Sequence, residues 1–191
     1  MSLQKALRLI NVPAKHHDAD LSKCHGLDHL EPIQGYLDKL SENVRNGNSL
    51  VLFGEYSQGK SAIAAIILRE ALRLGLIGYW MPMREWAKHQ IEKTTFDSTY
   101  DISVEAHCMS CPIMVLDEFI LRDKIMHNEQ AIEHVLRARA DANLATIVTT
   151  NLSWRRLETE YPAISAAMVG VYKWVKVAGY DFRADKENRR G

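Results

Sequence analysis

Two rhythms of apolar residues alternate along the chain. Four short runs are mostly apolar, and each stops at a turn-forming or charged residue: Ser49–Phe53 before Gly54, Gly78–Met83 before Arg84, Pro112–Leu116 before Asp117, and Leu144–Thr150 before Asn151; Tyr172–Ala178 before Gly179, interrupted by Lys173 and Lys176, is a fifth strand candidate. Runs this short predict strands buried on both faces, as in a parallel sheet. Between them the apolar residues recur at helical spacing. Leu3 to Ile10 fits a short helix stopped by Asn11-Val12-Pro13. Pro32 to Val44 places Ile33, Tyr36, Leu37, Leu40 and Val44 on one helical face before Asn46-Gly47-Asn48 closes it. Lys60 to Leu74, Arg84 to Lys93 and Glu129 to Asp141 follow as helices, the first ended by Gly75 and the last carrying Ile132, Val135 and Leu136 on one side. Strands alternating with helices predict an α/β fold, three layers (αβα) around a mainly parallel five-stranded sheet. In such sheets ligands bind beyond the carboxyl ends of the strands, where the polar residues of interest also fall.

Composition narrows the picture. A chain of 191 residues fits one domain, which buries roughly 70% of the surface its unfolded form exposes and needs no disulfide or structural metal. Its 24 Lys+Arg balance 24 Asp+Glu, which excludes a strongly basic nucleic-acid coat protein but leaves room for a local basic groove. No stretch approaches the ~18 consecutive apolar residues of a membrane span. Met1 to Arg8 lacks a signal core, and three cysteines without framework spacing suit a reducing compartment, so the expected location is cytoplasmic.

The chemistry is concentrated after the first strand. Gly54-Glu55-Tyr56-Ser57-Gln58-Gly59-Lys60-Ser61 matches G-x-x-x-x-G-K-[ST] with strand before and helix after, a pattern that chance supplies in under roughly 1% of chains this long. Such a loop turns backbone N–H groups inward on phosphates, and the following helix N-terminus adds positive potential. Lys60 would reach the β- and γ-phosphates of ATP and Ser61 would ligate Mg²⁺. A second element, Ile113 to Glu118, ends a buried strand in two carboxylates, which must be spent on something because unpaired buried charge is costly. Asp117 would hold Mg²⁺ through its water shell and Glu118 would polarise the attacking water. Asn151, closing the fourth strand, would orient that water. The Glu argues against a small-molecule kinase, which keeps water away, and favours hydrolysis coupled to motion or assembly.

On these residues the chain resembles the AAA+ ATPases of the DnaC/DnaI helicase-loader and IstB transposition group. The likeness runs from about Ile10 to Arg183, carried by Asn11-Val12-Pro13, the phosphate loop, Leu116-Asp117-Glu118, Thr149-Thr150-Asn151-Leu152-Ser153 and Gly179-Tyr180-Asp181-Phe182-Arg183. The resemblance implies a P-loop NTPase of the AAA+/ASCE type, with Asn151 as sensor 1 and Arg183 as sensor 2 on the γ-phosphate. It departs from the group at three places. Ser57 and Gln58 stand where the loop commonly has Gly and Thr, and Phe119-Ile120 replaces the usual residue followed by Gly. Within Ala163 to Met168, Ala stands where an Arg usually acts on a neighbour's nucleotide. An arginine finger is worth orders of magnitude in turnover, so slow hydrolysis is expected, or an Arg from elsewhere: Arg137, Arg139, Arg155 or Arg156.

The group's loaders carry a separate helicase-binding domain, for which the residues before Gly54 leave no room. Residues 14–191 then form the ATPase domain. Residues 1–13 form a short helix whose Leu3, Leu7 and Ile10 either offer a partner a handle or pack against their own domain. For nucleic acid, Arg84, Lys88 and Lys93 with Trp86 interleaved could track a phosphate backbone beside a stacking ring, or form an exposed face with Trp86 in the core; Arg155 and Arg156 after Trp154 are further candidates. His107, Cys108 and Cys111, with Cys24, His25 and His29, have partial zinc-ligand spacing, although buried thiols are the simpler reading. The expected function is a phage- or prophage-type, ATP-dependent replication accessory. It would self-associate as a ring or spiral on single-stranded DNA and deliver a replicative DNA helicase. The alternatives are an IstB-like ATPase on double-stranded DNA and a weakly hydrolysing, nucleotide-dependent scaffold.

Overall fold

Each of the five strand candidates forms a strand in the computed structural model, which describes residues 2–21, 30–95, 102–120 and 126–178, the side chains of 90–95, 102–103 and 126–128 excepted. The strands are β1 (Ser49–Phe53), β2 (Gly78–Pro82), β3 (Ile113–Asp117), β4 (Ala145–Thr150) and β5 (Tyr172–Lys176). They lie in the order β2-β3-β4-β1-β5, and every pair is parallel. The helices are α1 (Leu3–Leu9), α2 (Leu30–Asp38), α3 (Leu40–Arg45), α4 (Lys60–Arg73), α5 (Met83–Thr95), α6 (Ile102–Ser110), α7 (Met126–Asp141), α8 (Trp154–Glu160) and α9 (Pro162–Met168). No helix among the described residues is long and apolar enough to cross a membrane.

A parallel sheet must be covered on both faces, and the two cores divide accordingly. Ile63, Ile67 and Leu68 of α4 pack with Leu50, Leu52 and Val115 on one face, joined by residues of α1, α2 and α3. Each such side chain, fully buried, contributes roughly 1.5–3 kcal/mol. The opposite face is sealed by Trp86 of α5, Cys108 of α6, Leu136 of α7, Leu157 of α8 and Ile164 of α9 over Val51, Leu116 and Val148. The expected three layers are therefore present.

The helix expected over Pro32 to Val44 is instead two, α2 and α3, broken at Lys39 (φ −114°, ψ 26°). The Asn43 side-chain amide donates to the Tyr36 carbonyl at 2.9 Å, serving an acceptor that an unbroken helix would satisfy from its own backbone. Helices α6 and α8 were not legible in the apolar pattern. The latter starts where Ser153 accepts from the Arg156 N–H at 3.4 Å, a capping bond that periodicity does not reveal.

The N-terminal segment closes an edge. The Trp80 N–H donates to the Ile10 carbonyl at 2.9 Å, and Asn11, at φ +67°, donates its amide to the Trp80 carbonyl and to Glu85, both at 3.1 Å. The open side of β2 is thereby covered, one of the ways proteins protect exposed strand edges. Leu7 and Ile10 belong to the core, and Leu3 packs against it. Of the two readings of this face, packing on its own domain is the one observed; Leu9 remains exposed.

Candidate functional site

The Gly54–Ser61 loop leaves β1 at Gly54 and enters α4 at Lys60. Gly54 takes φ +149°, and a Cβ there would lie 2.1 Å from the Val177 carbonyl oxygen. Only glycine lets the end of β5 close on the loop, which it does through Val177 N–H to Phe53 carbonyl at 2.7 Å. Ser57, where the resembled group commonly has glycine, adopts φ +62°. The left-handed turn is thus kept, at a strain of roughly 1–2 kcal/mol.

Lys60 is buried, and its Nζ donates to the carbonyls of Gly54 at 2.8 Å and Glu55 at 2.5 Å. Burial pulls its pKa down to about 8, against the opposing pull of Glu55 and Asp117. Phosphate oxygens are the better partners for this ammonium, since charge-assisted bonds are about twice as strong as neutral ones. One residue on, Ser61 Oγ donates to Asp117 Oδ1 at 2.8 Å. Asp117 is buried at the carboxyl end of β3 and forms no ion pair among the described residues; its Oδ1 also accepts from Thr149 Oγ1 at 2.7 Å. A buried carboxylate paired with a hydroxyl at the mouth of this loop is an oxygen donor set that suits Mg²⁺.

Glu118 follows, exposed, with φ +56°, a conformation uncommon in residues with a Cβ. Its N–H donates to Thr149 Oγ1 at 2.9 Å. Further bonds run from Phe119 N–H to the Thr149 carbonyl at 2.8 Å and from Thr150 Oγ1 to the Phe119 carbonyl at 2.7 Å. The end of β4 therefore laces the end of β3. Asn151, next along, lines a cavity of about 410 Å³ with Gly54, Glu55, Gln58 and Lys176. Lys176 is exposed and forms no ion pair among the described residues. A larger groove of about 770 Å³ lies elsewhere, near the amino ends of β1 and β5, lined by Tyr36, Asn48, Ser49 and Lys173 among others. Its position is wrong for a parallel-sheet ligand, and the Tyr36 hydroxyl there is committed to the Asn48 carbonyl at 2.8 Å.

The fold thus gathers Gly54–Ser61, Asp117, Glu118 and Asn151 at the carboxyl ends of neighbouring strands. Arg183 lies outside the described residues, as do Cys24, His25 and His29. Arg84 and Lys88 are exposed on α5, whereas Lys93 lies in α5 with its side chain outside the description. Trp86 corrects the stacking reading: it is 2% exposed, in the core. Arg155 is exposed, and Arg156 pairs with Glu160 at 2.9 Å. Trp154, before them, packs edge-on against Trp174 with ring centroids 5.2 Å apart.

The substitutes for an arginine finger thin out. Arg137 pairs with Glu133 at 2.8 Å. Arg139 is completely buried, donating to Thr146 Oγ1 and to the carbonyls of Cys108, Cys111 and Ala145, so it is a structural residue. The same guanidinium lies 3.7 Å from Cys111 Sγ, a position at odds with a second cation there. Cys108 is a buried thiol whose pKa burial raises to about 12. Among the described residues no group of three metal-ligating side chains occurs. The residues that sequence reasoning passed over are Thr149 and Lys176. Thr149 carried a shared signal, one of three threonine hydroxyls, with Thr146 and Thr150, in a fully buried strand, which burial obliges to find partners; Lys176 carried none.

No protein-family model matches the chain, and no curated protein matches it. Solved structures do. A structure of the DnaC helicase loader aligns with TM-score 0.71 at 18% identity, over 87% of this chain and 100% of that one. A structure of DnaI aligns with TM-score 0.74 at 16% identity, over 88% of this chain and 96% of that one. The replication initiator DnaA bound to AMPPCP and single-stranded DNA aligns with TM-score 0.66 at 14% identity, over 94% of this chain and 56% of that one. At these identities the likeness establishes the fold alone, the three-layer α/β arrangement around a parallel five-stranded sheet expected from the sequence.

Proposed function

We propose that this chain is an ATP-hydrolysing replication accessory of the helicase-loader type, which binds ATP with Mg²⁺, self-associates on single-stranded DNA and engages a replicative helicase. The observation that carries the reading is the convergence of Lys60, Ser61, Asp117, Glu118 and Asn151 in a chain that matches the full length of the DnaC structure. The DnaA structure, with AMPPCP and single-stranded DNA bound, supports the nucleotide and DNA parts of it.

Each residue then has a task. The loop amides and Lys60 bind the β- and γ-phosphates, the ammonium exchanging its two carbonyl partners for phosphate oxygens. Ser61 and Asp117 would hold Mg²⁺, which when bound supplies the charge that neutralises the phosphates. Glu118 accepts a proton from the attacking water and Asn151 orients that water. Arg183, by its resemblance to sensor 2, contacts the γ-phosphate. Arg84, Lys88, Lys93, Arg155 and Arg156 are the basic residues offered to DNA.

A scaffold that hydrolyses little is a second reading, favoured by Ala166 and Ala167 at the usual finger place, the first exposed and the second buried, and by the commitment of Arg137 and Arg139 elsewhere. ATP turnover of the wild type, K60A and E118Q separates the two. On the main reading K60A loses ATP binding, while E118Q keeps binding and loses turnover by about a hundredfold or more. Wild-type turnover no higher than that of E118Q would leave the scaffold.

A further inference from the structure

Glu118 stands in an uncommon backbone conformation, φ +56°, and exposed. Something must hold it there if its carboxylate is to meet one water repeatedly. Thr149 Oγ1 lies 2.7 Å from Asp117 Oδ1 and 2.9 Å from the Glu118 nitrogen. The direction of both bonds is fixed by chemistry: an ionised carboxylate can only accept and an N–H can only donate, so the hydroxyl proton goes to Asp117 and its lone pair faces Glu118. One buried hydroxyl therefore couples two residues with different tasks. Asp117 has a second donor in Ser61 at 2.8 Å, whereas Glu118 has no other hydrogen bond to its N–H among the described residues.

We propose that Thr149 is a positioning residue for hydrolysis, its hydroxyl acting as the wedge that sets the Glu118 backbone relative to the Asp117 carboxylate. The inference rests on the hydrolytic reading given above. It assigns β4 two parts in the site: Asn151 at its end, and Thr149 beneath. The reason for threonine rather than valine is then the hydroxyl, since the two are nearly equal in shape but only one can both donate and accept.

The test compares T149V, T149S and E118Q with the wild type, measuring thermal stability, affinity for Mg·ATP, turnover, and amide exchange at Glu118. T149V is expected to lower kcat about tenfold, the worth of one hydrogen bond, with ATP affinity changed less than about threefold and Glu118 amide exchange accelerated. T149S restores both turnover and protection, because serine supplies the same oxygen. Loss of ATP affinity in step with kcat, or turnover equally low in T149S, would overturn the assignment, as either would mark a packing role. Unchanged amide exchange at Glu118 in T149V would also overturn it, independently of turnover. If E118Q loses turnover and T149V does not, the positioning role alone fails. If the wild type and E118Q hydrolyse ATP equally, the hydrolytic reading fails and takes this inference with it.

Discussion

Replacing Arg139 with methionine separates architecture from catalysis. The wild-type guanidinium is fully buried on α7 and donates four hydrogen bonds to oxygen, at 2.9 Å to Thr146 Oγ1 and at 2.7, 3.1 and 2.6 Å to the carbonyls of Cys108, Cys111 and Ala145. Charge-assisted bonds contribute about 1.5–3 kcal/mol each, a gross sum of roughly 6–12 kcal/mol. Against this stands the cost of taking a guanidinium out of water, several kcal/mol. Methionine removes both sides of that balance but leaves the three carbonyls buried, because they belong to the ends of α6 and β4 and cannot be replaced. The expected net loss is about 3 kcal/mol, in the range of broken buried networks. For a domain of this size that lowers Tm by roughly 6–12 °C. Circular dichroism melts measure it, and ATP turnover at a temperature where both proteins are folded completes the assay. R139M should melt early and hydrolyse normally. A melting temperature within ~2 °C of wild type would refute the energetic reasoning. Unchanged stability with lost turnover would put Arg139 in the site and refute its placement.

Three further outcomes are expected. Gly54→Ala drives a Cβ to 2.1 Å from the Val177 carbonyl at φ +149°; chemical denaturation should register a loss of about 3 kcal/mol from backbone strain and a broken ladder bond, and a loss under ~1 kcal/mol would contradict the close approach. Lys60, with its pKa drawn down to about 8 from 10.5, leaves the folded chain binding fewer protons than the unfolded one between those values, so the stability of the nucleotide-free protein rises with pH across that window and is lowest below it. Denaturation midpoints at pH 7.5 and 9.5 check the sign, and K60M should flatten the trend. Lys176→Ala removes an exposed cation from the cavity shared with Gln58 and Asn151; fluorescent-nucleotide titration should show affinity falling about three- to tenfold while stability moves by less than ~0.5 kcal/mol. Unaltered affinity would remove Lys176 from the site.

What could be read from the sequence is what depends on local pattern. The strands, α4 and the loop between them follow from short apolar runs and a spacing of Gly, Lys and Ser that phosphate binding demands. The place of Asp117 and Glu118 at the end of β3 was legible because the apolar run stops there. Contacts made by the fold rather than by the pattern were not. Trp86, for which the sequence left stacking and core both open, is 2% exposed in the structure, since packing against the sheet decides which face of α5 turns inward. Arg139, one of four candidates in the sequence for an arginine finger, is instead committed to carbonyls supplied by β4 and the end of α6. Lys176 reaches the site only because β5 lies beside β1, pairing Lys176 with Phe53, and no local signal announces which strands become neighbours.

Helicase-loader chemistry would show itself first in nucleotide-dependent binding to matched single- and double-stranded oligonucleotides, at stated salt because phosphate contacts make affinity salt-dependent. Mg·ATP, and not ADP, is expected to promote binding, with the single strand preferred and the nucleotide effect abolished in K60A. Preference for duplex would move the protein to transposition-type assembly, and DNA binding indifferent to nucleotide would rule out a nucleotide-driven loader.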